Sequence, residues 1–232
     1  MRDRRLLLLA IAVGVAAIVT IVAIVVGTRG SSSSSKTPTT AAPARTRALL
    51  AGIRQRGLEL GAAGAPATLV EFADMQCPYC AHWAVDTFPS VVDRFVRTGR
   101  VRLEFRGLHF IGPDSEKALR AVVAASFQNK LWNMVEALYE RQGTENTGWV
   151  TDALLREAGR SIPGLDVEAM MAERGSTQVT QVIRQDDRLA NAARVRGTPT
   201  FVVEKPPALG QQLQLQSLEP GAFNAALAAA VG

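Results

Sequence analysis

Both cysteines of this 232-residue chain lie in one four-residue motif, Cys77-Pro78-Tyr79-Cys80. An apolar run over residues 68–73 precedes the motif, and a helix-like stretch follows it. The motif therefore predicts a strand that turns directly into a helix, with both sulfurs at the junction. A Cys-x-x-Cys at such a junction is typical of a thiol–disulfide exchange centre.

A purely structural disulfide is the alternative interpretation of these two cysteines. A bridge across two intervening residues closes a very small loop, so it removes little conformational entropy from the unfolded chain. Such a pair is a poor crosslink and is better suited to reversible redox chemistry. We therefore interpret Cys77 and Cys80 as a redox pair.

The order of residues in the motif predicts different roles for the two sulfurs. Pro78 is expected at the first helical position, where its missing N–H costs nothing. Cys77 would then lie at a helix N-terminus, where unpaired backbone N–H groups and the helix dipole favour its thiolate. Cys80 would lie deeper on the same face, so Cys77 is predicted to attack and Cys80 to resolve. The uncharged Tyr79 should stabilise the thiolate less than an imidazolium would, and the motif leaves the direction of turnover open.

Glu71 is the one charged residue inside the apolar strand, six positions before Cys77. A carboxyl buried there would have a raised pKa and could pass protons to or from Cys80. The alternative is a glutamate at a strand end that reaches solvent. Because its neighbours on both sides are apolar, we favour the proton-relay role.

Thr198-Pro199 begins a second apolar strand far downstream of the cysteines. Proline is awkward in an inner strand unless it is the first residue or follows a cis peptide bond. A cis bond would expose the backbone of Thr198 for pairing with an extended substrate segment. A trans turn is the alternative, and general frequencies for X–Pro bonds favour it.

A zinc site is another interpretation of the two cysteines. Cys77, Cys80, His82 and His109 would supply four ligands, but His82 lies two residues past Cys80 and His109 is isolated. Neither spacing is typical of a zinc site. We therefore expect no metal, and no bound cofactor is implied.

The N-terminus predicts a membrane anchor. Residues 6–27 form an uninterrupted apolar run after a cluster that contains three arginines. At the rise of an α-helix this run spans roughly 33 Å, enough to cross a bilayer core, whereas the apolar part of a cleaved signal is shorter. The arginines are expected to keep residues 1–5 in the cytoplasm, so that the rest of the chain is exported. A cleaved signal is the alternative.

The residues that follow the predicted anchor are expected to form a flexible Ser/Thr/Pro/Ala linker over positions 28–47. The formal charge of +5 arises here, because residues 1–47 carry a net +6 and the remainder sums to −1. The excess lies beside the membrane and in the linker. Nothing in the folded part therefore points to nucleic acid.

The hydrophobic periodicity predicts one α/β domain over residues 48–232. The expected order is strand, strand, helix, strand, a helical block, strand, strand, helix. The helical block covers about residues 113–195. The last two strands, at residues 201–203 and 211–215, are expected to form a hairpin with a long connection over 205–210.

These motifs together resemble the DsbA-like thiol–disulfide oxidoreductases of the thioredoxin superfamily. The residues that carry the resemblance are Leu60-Gly61, Ala65-Pro66, the run Val70-Glu71-Phe72-Ala73-Asp74-Met75-Gln76 with the cysteine motif, and Gly197-Thr198-Pro199-Thr200-Phe201. The resemblance implies a thioredoxin fold whose helical insertion lies between the third strand and the cis-proline strand. It implies that Cys77 is the nucleophile, Cys80 the resolving cysteine, Pro199 the cis-proline and Glu71 the buried acid.

The resemblance also implies an activity, which is dithiol–disulfide exchange with exported proteins, most simply their oxidation. Turnover would need a membrane redox partner that resets the cysteine pair, such as a quinone-linked oxidase. The Pro-Tyr dipeptide and Thr198 are similar to DsbG, so an isomerase or reductase is one alternative. A membrane-tethered, peptide-binding chaperone without redox turnover is another. Only an anchor and a linker precede the fold, so a monomer is expected.

Overall fold

The computed structural model describes residues 41–232, in which six strands form one sheet in the order β1-β2-β4-β3-β5-β6. The parallel pair β3 and β4 forms its centre, and every other pairing is antiparallel. The strand bounds are β1 Gln55–Arg56, β2 Glu59–Leu60, β3 Ala67–Asp74, β4 Val101–Leu108, β5 Thr200–Lys205 and β6 Ala208–Gln212.

Strand β3 is the predicted apolar strand, and all eight of its residues are buried. A strand in the middle of a sheet that is covered on both faces needs apolar residues throughout, not alternation. Glu71 pairs with Phe105 of β4 and with Phe201 of β5. Its side chain therefore shares one face of the sheet with two aromatic rings.

Eight helices surround the sheet within the described residues. The active-site helix α2 covers residues 78–96 and alternates α-helical turns (Pro78–His82 and Phe88–Val91) with π-helical turns (Trp83–Thr87 and Val92–Val96). The others are α1 Ala41–Leu50, α3 Pro113–Ser126, α4 Leu131–Tyr139, α5 Asp152–Arg160, α6 Val167–Glu173, α7 Thr177–Ala192 and α8 Pro220–Val231. Pro89 is the second residue of the Phe88–Val91 segment of α2.

The predicted helical block corresponds to helices α3 to α7, inserted between β4 and β5. Three of these helices begin at side chains that accept a hydrogen bond from the backbone N–H three residues later, as N-caps do: Thr151, Asp166 and Ser176. Asp186 of α7 ties the block to the sheet. Its carboxylate accepts hydrogen bonds from the Arg106 guanidinium at 2.9 Å and from the Gly107 N–H at 3.0 Å.

An aromatic cluster fixes the active-site helix against the sheet. The Trp83 ring lies 4.9 Å from the ring of Phe201 on β5, and Phe88 stacks on Trp132 of α4 at 5.4 Å. Trp132 also meets the edge of Phe105 at 6.0 Å. Helix α4 thus covers the same face of the sheet as α2. Large buried rings of this kind dominate core energetics, so the position of α2 is determined by packing.

The structure differs from two sequence predictions. Helix α1 begins at Ala41, inside the predicted linker, because tertiary contacts order it: the Arg45 guanidinium donates to the Val85 carbonyl and the Thr46 hydroxyl to Glu140. The β5–β6 connection is also shorter than expected. Backbone pairing continues to Lys205 and Ala208, so only residues 206 and 207 join the two strands.

The predicted anchor, residues 6–27, lies outside the described residues. Among the helices that the structure does describe, none has both the length and the apolar character that crossing a bilayer requires.

Candidate active site

The turn between β3 and α2 presents Cys77 in an extended conformation at the helix N-terminus. The Cys77 N–H donates to the Asp74 carbonyl at 3.0 Å, and the Cys77 carbonyl accepts the first bond of the helix from Ala81 at 3.2 Å. Pro78 occupies the first helical position, as predicted. The Asp74 side chain closes the turn by accepting from the Gln76 N–H at 2.9 Å. The junction is thus held by backbone hydrogen bonds that a continuous strand could not make.

The Cys77 sulfur is surrounded by donors. The Cys80 thiol, the Thr198 side chain and the N–H groups of Cys80 and Tyr79 lower the pKa of Cys77 from 9.0 to about 6, against the opposing effect of burial. While it carries its proton, the Cys77 thiol donates to the Thr198 carbonyl at 3.2 Å. That carbonyl cannot stabilise the thiolate, so the donors from α2 and from Thr198 must do so. Near neutral pH the group is a thiolate, which is the nucleophilic form of cysteine.

Cys80 has the opposite character. It is 0% exposed, and burial raises its pKa well above the ordinary value, with further increases from its hydrogen bond to Cys77 and from the charges of Cys77 and Glu71. The two sulfurs are both free thiols in this structure. A thiolate at Cys77, which is 5% exposed, therefore lies beside a protonated thiol at Cys80, which is fully buried.

Glu71 lies beneath the two cysteines on β3 and is 1% exposed. Neither of its carboxylate oxygens has a hydrogen-bond partner within residues 41–232. Burial, and then the charge of Cys77, raises the pKa of Glu71 from 4.5 to about 8. At neutral pH the Glu71 carboxyl therefore carries a proton and makes no hydrogen bond that would hold this proton in place. Both properties suit a carboxyl that exchanges protons.

The loop before β5 completes the site. The Thr198–Pro199 peptide bond is cis, and both residues are half-buried beside the Cys77 sulfur. Tyr79 points outward and is 66% exposed. The structure thus brings together all of the site residues selected from the sequence: Glu71, Cys77, Pro78, Tyr79, Cys80, Thr198 and Pro199.

The two histidines considered as zinc ligands have other contacts. The ring nitrogens of His82 face the carboxylates of Asp86 at 2.9 Å and Glu219 at 3.1 Å. His109 faces Asp187 at 3.7 Å.

A group of amide side chains, of which Gln76 is the buried member, supports the turn, and the sequence analysis did not identify it. The Gln142 amide donates to the carbonyls of Met75 and Cys77 at 2.9 and 3.1 Å. Gln76 exchanges hydrogen bonds with Asn146, accepting from its N–H at 2.7 Å and donating to its Oδ1 at 3.2 Å. Gly112 leaves room for Asn146, because a Cβ there would lie 1.9 Å from its Oδ1. The one sequence signal was Gln76 itself, a polar residue directly before the motif.

Comparison with known proteins agrees with this arrangement. A family model described as Thioredoxin matches residues 54–208. The chain is 30% identical over 147 residues to a probable disulfide bond formation protein D from Bacillus anthracis, covering 62% of this chain and 68% of that protein. It superimposes on oxidised BdbD from Bacillus subtilis with a TM-score of 0.66 at 23% identity, covering 77% of this chain and 97% of the other.

A second solved structure is similar at higher identity. A thioredoxin-like oxidoreductase from Silicibacter pomeroyi has 32% identity and a TM-score of 0.57, covering 74% of this chain and 90% of the other. The expected thioredoxin fold with a helical insertion is therefore confirmed for the described residues. The chain belongs to the DsbA-like thiol–disulfide oxidoreductases of the thioredoxin superfamily, and it is a protein disulfide oxidoreductase.

Proposed function

We propose that this oxidoreductase is anchored in the cell membrane and introduces disulfides into exported proteins through Cys77 and Cys80. The low pKa of Cys77 beside the high pKa of Cys80 supports oxidation of the substrate as the direction of the reaction. A stabilised thiolate favours the reduced enzyme, and a stabilised reduced state makes the disulfide a strong oxidant.

The first step begins from the oxidised enzyme. A substrate thiolate attacks the Cys77 sulfur, a substrate–Cys77 disulfide forms, and the Cys77–Cys80 bond breaks. The Cys80 sulfur leaves with the electron pair of that bond. Because burial disfavours a thiolate there, it takes a proton, and Glu71 is the carboxyl that gives it.

The second step releases the product. Another substrate thiolate attacks the substrate sulfur of the mixed disulfide, and Cys77 leaves as a thiolate that its surroundings stabilise. Two electrons have then moved from the substrate dithiol to the enzyme. Of the two protons released by the substrate, one replaces the proton that Glu71 gave and the other enters solvent. A membrane redox partner must then remove two electrons from Cys77 and Cys80.

The substrate is proposed to lie along the loop that contains Thr198 and Pro199. An extended chain beside this loop would hold its own cysteine next to the Cys77 sulfur, which already contacts the Thr198 carbonyl. The exposed rings of Tyr79 and Phe110 offer apolar surface to unfolded segments. No bound cofactor takes part in these steps.

Membrane attachment rests on the sequence alone. We propose an anchor over residues 6–27, a cytoplasmic tail over 1–5, and a tether that ends where helix α1 begins. The domain would then face the outside of the cell membrane. Protease protection of sealed spheroplasts, before and after lysis, tests this orientation. A domain protected in intact spheroplasts would contradict it.

The direction of turnover is tested by the equilibrium of the cysteine pair with glutathione. A potential near about −120 mV supports the oxidant, whereas one near about −270 mV supports a reductase. Trapping mixed disulfides with a Cys80→Ala variant would then identify the substrates. A Cys77→Ser/Cys80→Ser variant that kept full activity in cells would favour the chaperone alternative.

A DsbG-like isomerase or reductase is the second candidate, favoured by Tyr79 between the cysteines and by Thr198 before the cis-proline. The two candidates make different products from a substrate with scrambled disulfides. An isomerase restores activity to scrambled ribonuclease without added oxidant, and an oxidase does not.

A further inference from the structure

Glu136 of helix α4 is a second buried carboxyl near the site, and the steps above do not use it. It is 5% exposed, and its Oε1 has no hydrogen-bond partner in the part of the chain that the structure describes. Burial raises its pKa well above the usual value, and the charges of Glu71 and Glu140 raise it further, while Arg45 opposes them. An unpaired buried carboxyl is costly, so its presence needs an explanation.

Contacts at the two ends of helix α4 place Glu136 beside Glu71. At one end, the ring of Trp132 meets Phe105, the cross-strand neighbour of Glu71. At the other end, the Tyr139 hydroxyl donates to the Asp74 carbonyl at 3.2 Å, three residues beyond Glu71 on the same strand. Glu136 lies between these contacts, one turn after Trp132, so its carboxyl is on the face of α4 that covers Glu71.

The charged groups around Glu136 come from three elements. Glu71 faces it from β3, Glu140 lies one turn further along the chain, and Arg45 approaches from α1. Glu140 is 12% exposed and accepts a hydrogen bond from the Thr46 hydroxyl at 2.8 Å. The carboxyls of Glu71, Glu136 and Glu140 thus form a row from the cysteines toward the surface beside α1.

We propose that Glu136 is a positioning residue that shares one proton with Glu71. The shared proton keeps Glu71 able to protonate Cys80 in alkaline solution. The transfer is Glu136-COOH plus Glu71-COO⁻ to Glu136-COO⁻ plus Glu71-COOH, and no electrons move. Two carboxyls that interact this closely lose their protons in two separate steps, so the pair keeps its last proton to a higher pH than Glu71 alone would. The inference rests on the proposed role of Glu71.

The test is the pH dependence of disulfide reduction. The full chain is oxidised, and the rate at which dithiothreitol opens the Cys77–Cys80 bond is measured from pH 5 to 10 and divided by the thiolate concentration of the reductant. In the unmodified protein this rate should fall only at the pH where the pair loses its last proton. In Glu136→Gln the fall should move down by about one pH unit, which is about tenfold in rate on the alkaline side, with less than about twofold change at pH 6.

Two further variants separate a proton role from a structural one. Glu136→Asp keeps a titratable carboxyl and should restore the alkaline rate, although it shortens the side chain. Glu157→Gln removes an exposed carboxylate from the same insertion and should leave the profile unchanged. An unshifted profile in Glu136→Gln, or an equal shift in Glu136→Asp, overturns the proposal.

Glu71→Gln distinguishes failure of this inference from failure of the proposed function. If Glu71→Gln leaves the rate at pH 7 unchanged, the proton-relay role of Glu71 is wrong, and the inference about Glu136 is overturned with it. If Glu71→Gln slows the reaction and Glu136→Gln does not shift the profile, only the inference about Glu136 is overturned. A double variant that behaves like Glu71→Gln alone supports both, because the two carboxyls then act in one path.

Discussion

The guanidinium of Arg45 donates to the carbonyl oxygen of Val85 at 2.8 Å. Val85 lies in the first π-helical turn of the active-site helix, and Pro89, four residues later, has no N–H to donate to that carbonyl. A side chain of α1 therefore satisfies a backbone group that the helix geometry leaves without its usual partner. Residues 41–47, which the sequence predicts as linker, are therefore part of the catalytic domain.

Arg45→Ala should weaken the attachment of α1. Loss of one exposed hydrogen bond should lower the free energy of unfolding by roughly 0.5–1.5 kcal/mol and speed amide exchange in residues 41–50. Urea unfolding and hydrogen exchange measure the two effects. Arg47→Ala is the matched control, since the Arg47 side chain is exposed and makes no side-chain hydrogen bond within residues 41–232. Equal effects of both variants would contradict the role given to Arg45.

The thiolate of Cys77 predicts the pH dependence of alkylation. The rate of reaction of the reduced protein with iodoacetamide should rise with a midpoint near pH 6, while Cys80 stays unreactive. Thr198→Val removes a hydroxyl donor and should raise the midpoint. Thr200→Val is the control, because the Thr200 hydroxyl donates to the Gly197 carbonyl and not to the sulfur. A midpoint near that of a free thiol would contradict the stabilisation described here.

The same thiolate affects the stability of the reduced protein. The pKa of Cys77 is lower in the folded state than in the unfolded chain, so its stabilising contribution is fully present above pH 9 and is lost as the pH falls through about 6. Replacing Cys77 with serine should remove this dependence. It is measured as the difference between the unfolding free energies of the two proteins from pH 5 to 9.

Glu71 predicts a pH dependence of the opposite sign. Its pKa is raised by folding, so the folded protein loses stability once the unfolded chain can release the proton and the buried group cannot. The penalty is absent below pH 4.5 and grows as the pH rises toward about 8, at about 1.4 kcal/mol per pH unit. The measurement is best made on the oxidised protein, because Cys77 then carries no charge and burial raises the pKa of Glu71 without it. Glu71→Gln should lower the slope of the unfolding free energy against pH in this range, and the slope that remains comes from Glu136, whose pKa burial also raises. A slope equal to that of the unmodified protein would contradict the pKa shift given to Glu71.

The parts of this site that could be predicted from the sequence are those that depend on neighbours along the chain. Cys77 and Pro78 specify a helix start by themselves, and Glu71 stands out because the residues on both sides of it are apolar. Glu136 carries the same signal in a weaker form. It interrupts an apolar helical stripe, but a periodicity of 3.6 residues does not reveal which strand that stripe will cover.

Other features depend on contacts between distant segments, which composition cannot show. The sequence of helix α1 is similar to that of a linker, and contacts with distant residues order the helix: Val85, Arg97 and Glu140 bind it through hydrogen bonds, and Leu50 packs in the core. Gln142 lies 65 residues from the Cys77 carbonyl that it contacts. No local pattern marks such an amide, and it becomes recognisable only when the insertion is folded onto the turn.

The Gln142 amide donates to the carbonyls of Met75 and Cys77, the residues on either side of Gln76. Gln142→Leu would leave these two partly buried carbonyls without this donor. The free energy of unfolding should fall by roughly 1–3 kcal/mol, and the alkylation midpoint of Cys77 should shift because the turn is no longer fixed. Gln128→Leu is a matched control. Gln128 also makes two hydrogen bonds to backbone, both to Asp166, but it lies on the insertion away from the cysteines. It should destabilise the protein without moving the midpoint. If both variants shift the midpoint equally, the effect comes from lost stability and not from the position of Cys77.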